Sequence, residues 1–292
     1  MKSEIRAMQE ALERHQYIAE PAIATAVYLA KAMRKPLLVE GDAGVGKTEI
    51  AKVLARMIDT ELIRLQCYQG LDVNTALYEW NYQRQILHLK IVERDGRTPA
   101  ELEAAIFSRD YLLERPLLRA ITRTEGPPVL LVDEVDRADD AFEAFLLEVL
   151  SDFQVTIPEL GTIVAVHVPY VVLTSNRSRE IGDALRRRCL YLYIEQPSVE
   201  KEVRIIKQRV PGVSERLAEQ IARFVQALRA RPLARAPGVA ETLDWSNALM
   251  RLHRDHLDLD AVQATLGCLV KDHHDLIALD ATETASLVAA AR

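Results

Sequence analysis

"PLLVEGDAGVGKTEIAKVLARMI", Pro36 to Ile58, decides how this chain is read. Leu37, Leu38 and Val39 form a short apolar run of the kind a buried parallel strand needs. Gly41-x-x-x-x-Gly46-Lys47-Thr48 follows, and then Ile50, Val53, Leu54, Met57 and Ile58 recur at helical spacing. Strand, glycine loop and helix in this order form the context in which the pattern cradles phosphate. Glycines at 41, 44 and 46 let the backbone wrap closely around phosphate oxygens. Successive N–H groups and the helix N-terminus supply partial positive charge. Lys47 reaches for the β- and γ-phosphates, and the Thr48 hydroxyl suits a magnesium ion. Gly41, Asp42, Ala43, Gly44, Val45, Gly46, Lys47, Thr48 and Glu49 are therefore the expected ATP-binding residues. Spacing alone does not exclude GTP.

Working outward, "GPPVLLVDEVDRADDAFEAFLLEVLSDF" holds a second apolar run, Val129 to Val132, with Asp133 and Glu134 at its end. Open α/β sheets place ligands at the carboxyl ends of their strands. Asp133 is expected to hold magnesium, directly or through water. Glu134 beside it is expected to act as base for an attacking water. Asp139 and Asp140, just before the amphipathic set Phe142, Phe145, Leu146, Val149 and Leu150, are better helix-capping candidates than Glu134. A third run, "YVVLTSN", Tyr170 to Asn176, also ends in polar residues. Asn176 would lie beside the γ-phosphate if this strand sits between the first two, orienting water together with Glu134.

Arg186, Arg187 and Arg188 follow about ten residues later, with too few acids nearby in sequence to neutralise all three. One arginine can stabilise charge on the γ-phosphate, and such an arginine often comes in trans from a neighbouring subunit. The other two are expected to be solvated or to meet acids across a subunit interface.

The set "GDAGVGKT", "VLLVDE", "VVLTSN" and "DALRRRC" resembles the Walker A, Walker B, sensor 1 and arginine-finger elements of AAA+ ATPases, and its order and spacing resemble the MoxR family most. The family's finger segment, laid without gaps on "IGDALRRRCL", places the finger on Arg188, acting in trans. "YEWNYQRQ" and "PGVAETLDW" look closer still to the CoxD-type ATPases encoded with molybdenum-containing carbon monoxide dehydrogenase. The resemblance implies a P-loop parallel sheet flanked by helices, with a C-terminal helical lid. It also implies ATP and magnesium as cofactors, a hexameric ring, a von Willebrand A-type partner and a protein substrate such as a molybdenum hydroxylase. One departure stands out: "PGVAETL", where the family carries its second-sensor arginine, has none. Arg231 and Arg235 lie just upstream.

The remainder divides at about residue 196. Residues 1–196 read as the nucleotide-binding α/β domain and 197–292 as the helical lid, where Val203, Ile206, Leu217, Ile221, Phe224, Val225 and Leu228 take up helical spacing. "ELIRLQCYQ", Glu61 to Gln69, reads as a strand, and "RARPLARAPG", Arg229 to Gly238, as a loop. "LYEWNYQRQILHLKIVE" reads as one long helix with Tyr78, Trp80 and Tyr82 near its start, facing either the core or, by the resemblance, a pore. "FQVTIPELGTIVAVHV", Phe153 to Val168, reads as a hairpin turning at Glu159 to Gly161. His253, His256, His273 and His274 lack a second cluster at ligand spacing and read as solvated helix faces.

Composition narrows the function classes. Of 292 residues 49% are apolar and 27% charged, an ordinary globular mix. A net charge of -6 argues against nucleic acid, and with it against the alternative reading of a DNA-acting AAA+ motor or clamp loader. The adjacent acids favour hydrolysis over transfer to a small-molecule acceptor. The charged opening, "MKSEIRAMQEALERH", reads as a helix rather than a signal segment, and no run has the length of a membrane span. Three scattered cysteines fit reduced core thiols. Together these give a cytoplasmic expectation.

Overall fold

The apolar runs become the strands of one sheet, and the amphipathic segments between them become helices. The computed structural model describes residues 2–92 and 98–291. In chain order the elements begin α1 (Lys2–Arg14), α2 (Pro21–Met33), β1 (Leu37–Gly41), α3 (Lys47–Met57), β2 (Leu62–Gln66), α4 (Val73–Ala76), β3 (Tyr78–Trp80) and α5 (Tyr82–Val92). Then come α6 (Pro99–Ile106), β4 (Leu112–Glu114), α7 (Pro116–Thr122), β5 (Val129–Asp133), α8 (Asp140–Asp152), β6 (Gln154–Ile157), β7 (Gly161–Val164) and β8 (Tyr170–Ser175). The chain closes with α9 (Asp183–Arg188), β9 (Leu190–Ile194), α10 (Val199–Arg209), α11 (Glu215–Arg229), α12 (Val239–Arg251), α13 (Leu259–Thr265), α14 (His273–Ala278) and α15 (Ala281–Ala290).

The main sheet runs β2-β5-β8-β1-β9. β8 pairs in parallel with β5 on one side and β1 on the other, so the third apolar run does lie between the first two. Every residue of β1 and β5 is buried, as expected of strands covered on both faces. The expected hairpin is present as β6 and β7, with Ile157 opposite Gly161.

The chain folds into two compact units. One comprises Thr25–Glu40 and Leu54–Leu192; the other comprises Met1–Ala24, Gly41–Val53 and Tyr193–Arg292. In the first, Leu38, Leu65, Leu130, Leu146 and Leu173 anchor the core. In the second, Ile206, Leu217, Phe224, Trp245 and Val262 anchor another. Charged pairs tie α10 to the N-terminal segment inside that second unit: Arg204 to Glu13 at 3.0 Å and Lys201 to Glu20 at 2.8 Å. Serine or aspartate side chains cap α10, α11, α13, α14 and α15, which explains where those helices begin. His273 and His274 simply open α14 behind its Asp272 cap.

One expectation fails. Tyr78–Trp80 is not helical but forms β3, antiparallel to β4. Asn81 stops the strand and starts the helix, its side chain accepting the Arg84 N–H at 3.0 Å. Trp80 is buried edge-on against Phe107, with ring centroids 5.3 Å apart, while Tyr82 faces outward. Of the three aromatics, Trp80 is therefore core. Glu93, the last residue of that expected helix, lies outside the described residues. Helix α5 wears its apolar side chains on the outside: Tyr82, Ile86, Leu87 and Ile91 are each more than half exposed. Gln85 is buried instead, donating to the Ile106 carbonyl at 2.7 Å. Among the described residues no helix is long and apolar enough to cross a membrane.

Candidate nucleotide site

The glycine loop leaves β1 at Gly41, whose φ of 154° only glycine adopts freely. A Cβ there would lie 2.3 Å from the Ile194 carbonyl oxygen. Gly44 and Gly46 also have positive φ, 77° and 95°. Lys47 is buried at the start of α3, its ammonium donating to the carbonyls of Gly41 at 2.8 Å and Asp42 at 2.6 Å. The ammonium is thus folded back over the loop whose phosphate ligand it is expected to bind. Val45 is buried, whereas Asp42, Ala43 and Gly44 are exposed. Glu49 pairs with Arg209 of α10 at 3.2 Å and Lys52 at 3.5 Å. Thr48 occupies the second position of α3.

Sequence reasoning missed two neighbours of this loop. The ring of Tyr17 comes within 3.9 Å of the position a Gly46 Cβ would take. Burial pushes its phenol above the ordinary value, with Glu20 and Glu49 adding to the effect. The other neighbour is the start of α12, the stretch "PGVAETL". Its Val239 N–H donates to the Gly44 carbonyl at 2.9 Å. Gly238 packs so closely on Gly44 that a Cβ on Gly238 would lie 2.6 Å from the Gly44 Cα. Where the resemblance leads one to expect an arginine, two glycine backbones touch. A missing arginine flanked by proline and glycine was the available signal.

The carboxylates stand at the end of β5. Asp133 is buried, and its Oδ1 accepts the Thr174 hydroxyl at 2.5 Å. Thr174 in turn accepts the Glu134 N–H at 2.9 Å, so one β8 hydroxyl fixes both acids. Asp133 Oδ2 accepts Nε and Nη2 of Arg64, from β2, at 3.0 and 2.5 Å. Glu134 has left-handed backbone, φ 56° and ψ 50°, which ends the strand and turns its side chain out of line with the sheet. Its carboxylate receives Asn176 Nδ2 at 3.2 Å, Gln66 Nε2 at 3.1 Å and Arg137 Nε at 3.1 Å. Asp139 caps α8 by accepting the Phe142 N–H at 2.8 Å, leaving Glu134 free of that duty. Glu134 and Asn176 are thus brought together, as their spacing implied. Arg64 and Gln66 were not foreseen, because β2 offers no motif.

Magnesium requires oxygen donors, and the Thr48 hydroxyl and the Asp133 carboxylate are of that kind. The Asp133 carboxylate already has a cationic group against it, the Arg64 guanidinium, so its surroundings suit positive charge. Among the described residues no group of three or more His, Cys, Asp or Glu gathers as a metal cluster.

The arginine block resolves residue by residue. Arg186 pairs with Glu40 of β1 at 3.5 Å and lies over the Tyr191 ring, 5.5 Å from its centroid. Arg188 is exposed and donates to its own Ser151 Oγ, from Nε at 3.1 Å and Nη2 at 2.5 Å. Arg187 is exposed, and its side chain makes no hydrogen bond or ion pair among the described residues.

Comparison with known proteins gives the family. The gas vesicle ATPase GvpN of Haloferax mediterranei (strain ATCC 33500 / DSM 1411 / JCM 8866 / NBRC 14739 / NCIMB 2177 / R-4) is 27% identical over 206 residues, 68% of this chain and 57% of that protein. An uncharacterised protein of Staphylococcus aureus (strain bovine RF122 / ET3-1) is 23% identical over 204 residues, 68% of this chain and 69% of its own. The chain thus spans little more than half the length of the gas vesicle relative. Among solved structures, the Thermotoga maritima RuvB Holliday junction branch migration motor aligns with a TM-score of 0.46 at 21% identity, covering 92% of this chain and 71% of that one. The profile of the AAA domain family, dynein-related subfamily, matches residues 36–189, the stretch that holds the glycine loop, Asp133, Glu134, Asn176 and all three arginines. That stretch is just over half of the 292 residues, and with the sheet order it places the chain in the AAA domain family of nucleotide-hydrolysing ATPases, in its dynein-related subfamily.

Proposed function

We propose that this chain is a magnesium-dependent ATPase of MoxR type that remodels a partner protein, acting in the maturation of a molybdenum hydroxylase of the carbon monoxide dehydrogenase kind. The observation that carries the hydrolytic part is the Glu134 carboxylate, held by the Asn176 amide at the carboxyl ends of adjacent strands. A carboxylate in that position accepts a proton from water, and the amide fixes its direction. Lys47 and the N–H groups of Gly44 to Thr48 bind phosphate oxygens. Thr48 and Asp133 hold magnesium, which supplies positive charge to the β- and γ-phosphates when bound. Residues 1–196 serve as the nucleotide-binding domain and 197–292 as the lid, in a cytoplasmic hexameric ring with a von Willebrand A-type partner. The gas vesicle relative is itself named an ATPase, which favours ATP over GTP.

Arg188 is the proposed finger, acting on the neighbouring protomer's nucleotide. A second reading has a specific observation in its favour: Arg187 is the exposed arginine of the three that carries no partner of its own among the described residues.

One set of assays tests the whole. Glu134→Gln should keep ADP and ATP binding and lose turnover by on the order of 10² to 10⁴. Arg188→Ala should lose on the order of 10³ and Arg187→Ala little, the reverse favouring the second reading. Glu134→Gln, charged with ATP, should then retain a von Willebrand A-type protein and a molybdenum hydroxylase from a lysate. Normal turnover by Glu134→Gln would remove the base. Failure to retain either protein would remove the maturation role and leave the ATPase standing.

A further inference from the structure

We infer that Arg64 is a stand-in cation: its guanidinium occupies the Asp133 carboxylate until magnesium arrives with nucleotide, and the two exchange. The inference deepens the nucleotide reading above and rests on it.

Asp133 cannot leave its place. Its side chain is 5% exposed, it ends a wholly buried strand, and Thr174 holds its other oxygen. A carboxylate so placed is expensive to leave without a counter-charge. Arg64 supplies that charge through two donors on one oxygen. The pair is lopsided, because the Arg64 side chain is 52% exposed. Arg64 can turn into water with little loss, since half of it is there already. A divalent ion brought to the same carboxylate repels the guanidinium and competes for the same lone pairs. The mobile, solvated partner is the one that yields.

The exchange reaches Glu134. Arg64 Nη2 also donates to Gln66 Oε1 at 2.5 Å, and Gln66 Nε2 donates to Glu134 Oε2 at 3.1 Å. When Arg64 turns away, the Gln66 amide oxygen loses its partner, and the Gln66 hold on Glu134 loosens. The carboxylate keeps Asn176 and Arg137. Metal arrival and release of the base are then linked through two side chains of β2.

The test is manganese(II) binding in the presence of ADP, read as free manganese by electron paramagnetic resonance. Arg64→Gln removes the charge and keeps a shorter polar amide; Arg64→Lys keeps the charge and removes the fork. Arg64→Gln should hold manganese more tightly, on the order of tenfold, and Arg64→Lys should fall between it and the wild type. In EDTA, Arg64→Gln should melt below the wild type, and manganese with ADP should raise its Tm by more. Unchanged or weaker manganese binding in Arg64→Gln, with wild-type binding intact, overturns the exchange alone. A wild-type chain that holds no manganese with ADP overturns the nucleotide reading, and the exchange with it.

Discussion

Cys67 shows how much one residue's surroundings can decide. It follows β2, its N–H donates to the Asp133 carbonyl at 2.8 Å, and its side chain is buried. Burial first, then the charges of Asp133, Asp136 and Glu134, push its thiol up to about 12 from an ordinary 9.0. Burial alone takes Cys189 to about 12. Both groups hold their protons more tightly in the fold than in the unfolded chain. Their contribution to stability is therefore complete below about pH 9 and is lost as pH rises toward 12. At pH 8 a thiolate-selective reagent should label the partly exposed Cys268 first and spare Cys67 and Cys189 until denaturant is added. The urea midpoint should then fall between pH 9 and pH 11. Rapid native labelling of Cys67 would contradict this. At this scale the sequence was informative wherever chemistry demands a particular residue type: Lys47 opens α3, and Asp133, Glu134 and Asn176 stand at or just past strand ends, where their neighbours forecast them. It was silent on Arg64, Gln66 and Thr174. Their importance comes from strand register, Gln66 opposite Asp133 and Leu173 opposite Val132, and register is not written in any local pattern.

Among elements, α12 is the most instructive. Its first residues are braced from behind, with Arg229 Nε donating to the Pro237 carbonyl at 2.8 Å and the Thr242 hydroxyl to the Gly238 carbonyl at 3.0 Å. The Val239 N–H takes the Gly44 carbonyl, and the two ends of a peptide plane point oppositely. The Val45 N–H is thereby turned away from α12. Gly238→Ala would place a methyl against Gly44, at a strain of about 1–3 kcal/mol. ADP affinity, measured by calorimetry, should weaken accordingly, while far-ultraviolet dichroism stays native. Unchanged affinity would show that the helix start and the loop are indifferent to each other. Helices α3, α8, α10 and α11 were forecast by apolar period, the start of α8 also by its capping aspartate, and strands β1, β5 and β8 by their apolar runs. β3 was not, because Tyr78 to Trp80 is too short to display a period and a long helical run follows directly. The inverted exposure of α5 was hidden for a related reason: periodicity reveals that a helix has two faces, not which one the core takes.

For the molecule as a whole, the division into two units depends on contacts between distant parts of the chain. Residues 1–24 and 41–53 group with the C-terminal helices, which a boundary drawn at residue 196, where helical spacing takes over, does not reveal. Inside that unit lies a buried ion pair: Glu202 is wholly buried and takes Arg229 through Nη1 at 2.7 Å and Nη2 at 2.8 Å, with the Thr242 hydroxyl at 2.8 Å. Glu202→Ala leaves the guanidinium buried without its partner and should lower unfolding stability by about 3–5 kcal/mol in urea titration. Replacing both partners with leucine and methionine should recover most of the loss. A single variant as stable as the wild type would mean that water reaches Arg229. The outward apolar side chains of α5 have a consequence of another kind. Hydration of such surface grows less favourable on warming and in the presence of sulfate or phosphate salts, so the tendency of these molecules to cluster rises with both, opposite to the behaviour of an association driven by charge.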